Sequence, residues 1–322
     1  MNNPLLRPYF EKLTERDKTA LMQEMADRYG LQFKGLQRFC RWDRSCTTGV
    51  FEKGGREFVF VPGDTVTIGW ERFETGLDEE NLEELYDVFE EYEYKGTPEE
   101  FIGEDMAPVR QVTVPPMLAG RKLEEIGWEP VSFQDPRLLE HPDWLQAFQE
   151  HQRAGMRGLN LVGCARFHCT DGRWEAFLYH DVTYDELKEL LNRQGFSLPT
   201  ADEWAYLCGG GCRTLFPWGD GLKSDMHLYH FSKAADAGRP YDMEEPNFFG
   251  LSIAYDPYKQ ELVEADAAAT CGGDGGCCIC GGEGPLLGYL PCSPHRKPEI
   301  QEDDVLDNDF HFYRPIIRVD SV

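Results

Sequence analysis

Beyond Gly209 the periodicities that mark helices and strands thin out, and glycine and proline recur to the end of the chain. So long a stretch of irregular backbone in a compact domain must be pinned by side chains, and it usually exists for a functional reason. Within it lies Cys271-Gly-Gly-Asp-Gly-Gly-Cys277-Cys278-Ile-Cys280-Gly-Gly-Glu-Gly-Pro285, and five of the chain's 11 cysteines fall between Cys271 and Cys292. Glycine lets a backbone turn tightly and approach other groups closely. Thiols carried on such a backbone form a metal site, a redox site or an inert packed cluster, and function turns on which.

The chain has 322 residues, 41% hydrophobic and 13% aromatic, enough to bury a real core. Met1-Asn-Asn-Pro-Leu-Leu-Arg leads into charged residues rather than an apolar run, so no secretory signal is read there. No segment is long and apolar enough to cross a bilayer. The expected location is the cytoplasm, where thiols stay reduced and a disulfide framework is disfavoured. Net charge is 32 − 58 = −26. That excludes nucleic acid and anionic membranes as partners, because both need a basic surface. Residues 71–105 alone hold 15 acids against Arg72 and Lys95, a net of −13.

Local signals set out the elements. Thr14-Glu-Arg-Asp17 opens a helix with Leu21, Met25 and Tyr29 at helical spacing and Gly30 as its stop. Residues 1–50 are therefore expected to be an N-terminal helical extension, and 51–322 the main domain. Arg56–Val61 and Thr65–Gly69 read as strands around Pro62-Gly63, and Arg110–Val114 as a third strand closed by Pro115-Pro116. The acidic stretch 71–105 is a helical insertion. Its helix runs from about Asp78 to Tyr94 with an apolar stripe of Leu82, Leu85, Tyr86, Phe89 and Tyr92. Its other face is carboxylate, a solvated surface or a docking face for a basic partner or divalent cations. Residues 116–176 are mixed, with short strands near Leu161 and Phe177. Thr183-Tyr-Asp-Glu186 opens a helix with Leu187, Leu190 and Leu191 on one face, ended by Gly195. Thr200-Ala-Asp-Glu203 opens another, with Trp204 and Leu207 inward and Gly209-Gly210-Gly211 as its stop.

At Ser197-Leu-Pro-Thr-Ala-Asp-Glu-Trp-Ala-Tyr206 the chain resembles the formylglycine-generating enzyme, or sulfatase-modifying factor, family, whose signature there is R-L-P-T-E-A-E-W-E-Y. Further similarities follow in the family's order. They are Phe60-Val-Pro-Gly63 with Ile68-Gly69, Pro108–Val114, Phe216-Pro-Trp-Gly219, Pro246-Asn-Phe-Phe-Gly-Leu251, Gly272-Gly273 and Tyr313–Arg318. The resemblance spans about residues 56–318. It implies an α+β fold related to C-type lectins, with a small antiparallel sheet, two main helices and long ordered loops.

Active members of that family carry a C-x4-C pair that binds copper(I) and activates oxygen, and soft thiolates suit that ion. Counted from Gly272-Gly273, the first family cysteine matches Cys277, and the second would fall at Gly282. Cys280 offers the shifted partner, so Cys277 and Cys280 are the candidate catalytic and metal residues, with copper(I) the implied cofactor. The family's calcium loop is not recognisable in Tyr255–Val263, where Glu261 alone could stand in, so the calcium ligands do not carry over. Two other metal sets are open: zinc on Cys271, Cys277, Cys280 and Cys292 or His295, and a D-x-H-x2-H set of Asp225, His227 and His230. Two functions follow from the resemblance. One is a divergent member with altered or lost chemistry, acting as a binding domain for a protein or peptide partner. The other is a copper(I) oxidase that converts a peptide cysteine to formylglycine.

Overall fold

The computed structural model describes residues 3–320. Helix α1 (Arg7–Phe10) is a single turn. Helix α2 (Glu15–Tyr29) starts where the Thr14 hydroxyl accepts the Asp17 N–H and ends at Gly30 in the left-handed region. The helical reading of residues 1–50 stops there. Strands β1 (Gln32–Arg41) and β2 (Arg44–Lys53) form a hairpin that pairs onward with β3 (Arg56–Val61). A register shift between Phe33 and Gly35 hides β1 from pattern reading, because Phe33 and Leu36 then share a face three residues apart rather than two. Strand β4 (Asp64–Ile68) leaves this sheet.

The acidic insertion is helical. Helix α3 (Glu79–Glu91) is capped by the Asp78 carboxylate on the Asn81 N–H, and α4 (Pro98–Gly103) by a Thr97–Glu100 capping box. Leu85, Val88 and Phe89 are buried and Leu82 is half-buried, but Tyr86 and Tyr92 are 54% and 62% exposed. Those two tyrosines therefore leave the expected stripe. Tyr86 sits one residue around the helix from Leu85 and rests edge-on against Phe89, with ring centroids 5.7 Å apart. Tyr92 lies beyond the last helical residue, and Val88 fills the inner row instead. The Asn81 amide fixes the helix to the body, donating to the Leu222 carbonyl at 2.8 Å and accepting the Leu222 N–H at 3.0 Å.

Strand β5 (Arg110–Val114) pairs with β4 as a separate two-stranded ribbon, while β6 (Met117–Gly120) joins the first sheet and β7 (Glu124–Glu125) a different one. Then comes a module of its own: β8 (Trp128–Val131), α5 (Pro136–Leu139), α6 (Pro142–Arg153), β9 (Gly158–Leu161), β10 (Ala165–Thr170) and β11 (Arg173–Tyr179). Its antiparallel sheet has the order β8-β11-β10-β9. Leu138 and Phe148 from the helices pack on Ala165, Phe167, Ala176 and Leu178 from the sheet, and this core shares no buried residue with the main one. Phe148 and Phe167 stack at 4.6 Å. Phe167→Ala should cost about 3–5 kcal/mol locally. Amide exchange should then speed up across residues 128–179 while the Trp204 helix stays protected. Uniform loss of protection over the whole chain would show that the module does not open independently.

Helices α7 (Tyr184–Arg193) and α8 (Ala201–Gly209) begin with the two capping boxes read from the sequence, at Thr183 and Thr200. Leu187 and Leu191 are buried, whereas Leu190 faces solvent. Trp204 and Leu207 are buried, and Gly210 closes α8 in the left-handed region. The remainder is short elements joined by loop: β12 (Gln260–Val263), β13 (Ala269–Cys271), α9 (Cys277–Gly281), α10 (Gly284–Tyr289), β14 (Glu299–Ile300), β15 (His311–Tyr313) and β16 (Ile316–Arg318). The first sheet is antiparallel in the order β1-β2-β3-β6-β16, and a third has the order β14-β13-β12-β15-β7 with β12 and β15 parallel. The architecture is α+β, with several antiparallel sheets and more helices than the four read from the sequence near Thr14, Asp78, Thr183 and Thr200. No described helix is long and apolar enough to cross a membrane.

Side chains pin the irregular third of the molecule. Asn247 donates to the Leu207 carbonyl at the end of α8 and accepts the N–H groups of Phe249 and Leu251. Phe216 and Trp218 stack at 4.8 Å, and the tip of the β1–β2 hairpin lays Trp42 on Trp218. Arg318 of β16 grips Glu203 of α8 with two bonds of 2.7 Å.

Candidate functional site

Strand β13 delivers the chain to the cysteine loop. A Cβ on Gly273 would lie 2.6 Å from the Pro257 carbonyl oxygen, so only glycine lets these segments come this close. Asp274 follows. Its N–H donates to that same carbonyl, and its buried carboxylate accepts the N–H groups of Gly276, Cys277 and Cys278 at 2.8, 3.1 and 3.2 Å. This carboxylate starts α9, because the first amides of a helix need an acceptor. Gly276 is held at φ +81°, with the Tyr258 ring where a Cβ would stand. The glycine run is therefore a fixed turn into a short helix.

The thiols divide into two groups. Cys208, Cys212, Cys271 and Cys292 are buried. Burial pushes the Cys208, Cys271 and Cys292 thiols far up and Cys212 to about 11. They behave as small apolar side chains; Cys292 donates weakly to the Gly272 carbonyl at 3.4 Å. Cys277 and Cys280 are exposed, three residues apart on one helical turn, and Cys278 lies between them half-buried. Desolvation first, then the Asp274 carboxylate, raises Cys277 and Cys278 above an ordinary thiol. Cys280 faces Tyr258, with sulfur and phenol oxygen 3.0 Å apart. That contact, ahead of desolvation, raises the Tyr258 phenol. The Tyr258 ring lies 4.6 Å from the His230 ring, and Asp256 bonds both the His230 Nε2 at 2.8 Å and the Tyr258 N–H at 3.1 Å.

The other metal sets do not assemble. Cys271 and Cys292 are inside while Cys277 and Cys280 are outside. His295 turns to the Thr214 carbonyl at 3.0 Å, and His227 to the Pro240 carbonyl at 3.1 Å. Among the described residues no group of three or more His, Cys, Asp or Glu side chains is placed to hold a metal ion. Glu261, the stand-in for calcium, is fully committed elsewhere. Buried Arg314 bonds it through Nε and Nη2 at 3.2–3.3 Å, and it accepts the Ala254 N–H. The residues present do not fit the C-x4-C copper pair either: Gly282, at φ +78°, ends α9 where the second cysteine would be.

Sequence reading did not find the Cys280–Tyr258–His230–Asp256 chain. Asp256 and Tyr258 are near neighbours in sequence, but Cys280 lies 22 residues beyond Tyr258 and His230 lies 26 before Asp256, across loops with no periodicity to announce the meeting. No protein-family model matches the chain, and no curated protein sequence matches it.

Proposed function

We propose that the chain is a divergent member of the formylglycine-generating enzyme family, with the lectin-like topology its motif order implies. In this reading the family's copper oxidase chemistry is lost, and the loop-rich face binds a protein or peptide partner. Position 282 carries the argument: a glycine stands where the second thiol is needed. Asp274 adds to it. Its charge next to Cys277 opposes the thiolate that copper or a nucleophilic role requires. A copper(I) oxidase acting on a peptide cysteine is the second reading, favoured by the exposure of Cys277 and Cys280 on one helical turn.

Copper(I) titration of the reduced protein against a chromophoric chelator separates the two. The binding-domain reading expects the chelator to keep the copper and a cysteine peptide to yield no aldehyde in air. One equivalent of copper held by the wild type and by Cys208→Ser but lost in Cys277→Ser, with oxygen-dependent aldehyde formation, would replace it by the oxidase reading.

A further inference from the structure

Of the three exposed thiols, Cys40, Cys277 and Cys280, only Cys280 has a side-chain hydrogen-bond partner among the described residues. The partner is the Tyr258 hydroxyl, 3.0 Å from the sulfur. Gly276 sets both ends of this contact. The Cys280 N–H donates to the Gly276 carbonyl at 2.8 Å, which places the thiol one helical turn beyond that glycine. A Cβ on Gly276 would lie 2.4 Å from the Tyr258 ring, so the ring packs directly against its backbone. Asp256 holds the ring from behind, through the Tyr258 N–H and the His230 ring beside it. The hydroxyl therefore has a fixed position, and it faces a thiol that solvent reaches.

A phenol O–H is a good donor and a thiol S–H a weak one, while a thiolate only accepts. The hydroxyl thus donates to the sulfur once Cys280 ionises. The Tyr258 phenol is itself raised by that contact, so at neutral pH its proton stays on oxygen and remains available to donate. The neighbouring thiols have no such support. Cys277 is held up by desolvation and then by the Asp274 carboxylate, and half-buried Cys278 faces the same two effects. The thiolate is the form that attacks, and it forms where it is both exposed and met by a donor.

We propose that Cys280 is a thiol–disulfide exchange site, modified by low-molecular-weight disulfides, with Tyr258 as the positioning residue that donates to its thiolate. The Cys280 proton goes to solvent. The thiolate attacks one sulfur of the disulfide, a new S–S bond forms and the old one breaks, and the expelled thiolate leaves with the electron pair. Cys280 is oxidised and the departing sulfur is reduced, so the disulfide is the only oxidant required, and excess thiol reverses the step. The adduct removes the charge to which Tyr258 donates and adds bulk to α9, none of whose residues is buried.

Bis(2-hydroxyethyl) disulfide tests this on the intact chain, and being neutral it is not repelled by the net charge of −26. Initial rates of free-thiol loss are read residue by residue after acid quench, by fragmenting the tryptic peptide 260–296 that carries Cys277, Cys278 and Cys280. Cys280 should react ahead of Cys277 and Cys278. Tyr258→Phe, which keeps the ring against Gly276, should slow Cys280 about fivefold and leave Cys277 and Cys40 unchanged. Loss at Cys280 should persist in Cys277→Ser, because Cys280 makes the attack itself rather than displacing an adduct first formed on Cys277. The proposal is overturned if Cys277 or Cys278 reacts first, if the Cys280 rate is unchanged in Tyr258→Phe, or if loss at Cys280 disappears in Cys277→Ser. Faster reaction at all three thiols in Tyr258→Phe would show that the phenol only closes the loop, and that too overturns it.

Discussion

Arg314→Met is expected to lower stability by about 3–5 kcal/mol, seen as a reduced urea midpoint with an unchanged slope. The side chains of Arg314 and Glu261 are 0% and 1% exposed. Besides Glu261, the guanidinium donates to the Gly120 carbonyl at 2.6 Å and the Ser252 carbonyl at 2.7 Å. Methionine fills much of the volume but strands the Glu261 carboxylate in a dry interior with only the Ala254 N–H at 3.2 Å for support. The loss comes from the uncompensated charge rather than from a missing attraction. Adding Glu261→Leu to Arg314→Met should therefore recover most of it. If the double variant is no more stable than the single one, the pair is not the origin of the effect.

The second large effect is acid sensitivity from His295. This ring is buried, and its Nε2 donates to the Thr214 carbonyl at 3.0 Å, which fixes the tautomer because a carbonyl can only accept. The proton needed to charge the ring must therefore go to Nδ1, which is buried and has no partner. Desolvation accordingly lowers the His295 pKa to about 4. An unfolded histidine titrates near 6.5. Above that pH both states are neutral and the histidine costs nothing. As pH falls toward about 4 the unfolded chain takes up a proton that the native chain refuses, and up to about 3 kcal/mol is lost. Equilibrium unfolding between pH 7 and pH 4 should show this slope, and His295→Gln should flatten it. Glu84 acts in the opposite sense: burial raises its carboxyl to about 7, so its contribution weakens as pH rises from the ordinary carboxylate range toward neutrality. A wild-type slope that survives in His295→Gln would assign the acid loss to other groups.

What the sequence discloses here is what is decided within a few residues. The helices after Thr183 and Thr200 are legible because a hydroxyl, an amide and a glutamate three residues on make both hydrogen bonds of the cap. Glycine stops at Gly30 and after Gly209 are legible for the same reason. Helix α6 also had its signals, Pro142 in the first turn and Trp144, Leu145 and Phe148 at helical spacing, but they sit in a region too mixed in character to stand out. The β1–β2 hairpin is hidden by its bulge, and Tyr86 is misplaced because a stripe drawn on a wheel does not say where the neighbouring chain lies. At the cysteine loop, spacing singles out Cys277 and Cys280. It is silent on which thiols face inward, because that depends on β13 passing through the interior.

Arg314 also bears on the order in which the molecule is made. Its guanidinium joins Gly120, Ser252 and Glu261, which lie 194, 62 and 53 residues earlier in the chain. Two residues later β16 covers the free edge of β6, a strand buried along its whole length. During synthesis that edge must wait, unpaired and apolar, until β16 has left the ribosome. Contacts of such long separation slow folding, and a waiting strand edge invites pairing with other chains. Strand β16 thus acts as a latch, and its removal should divert nascent protein into aggregates rather than yield a slightly smaller fold.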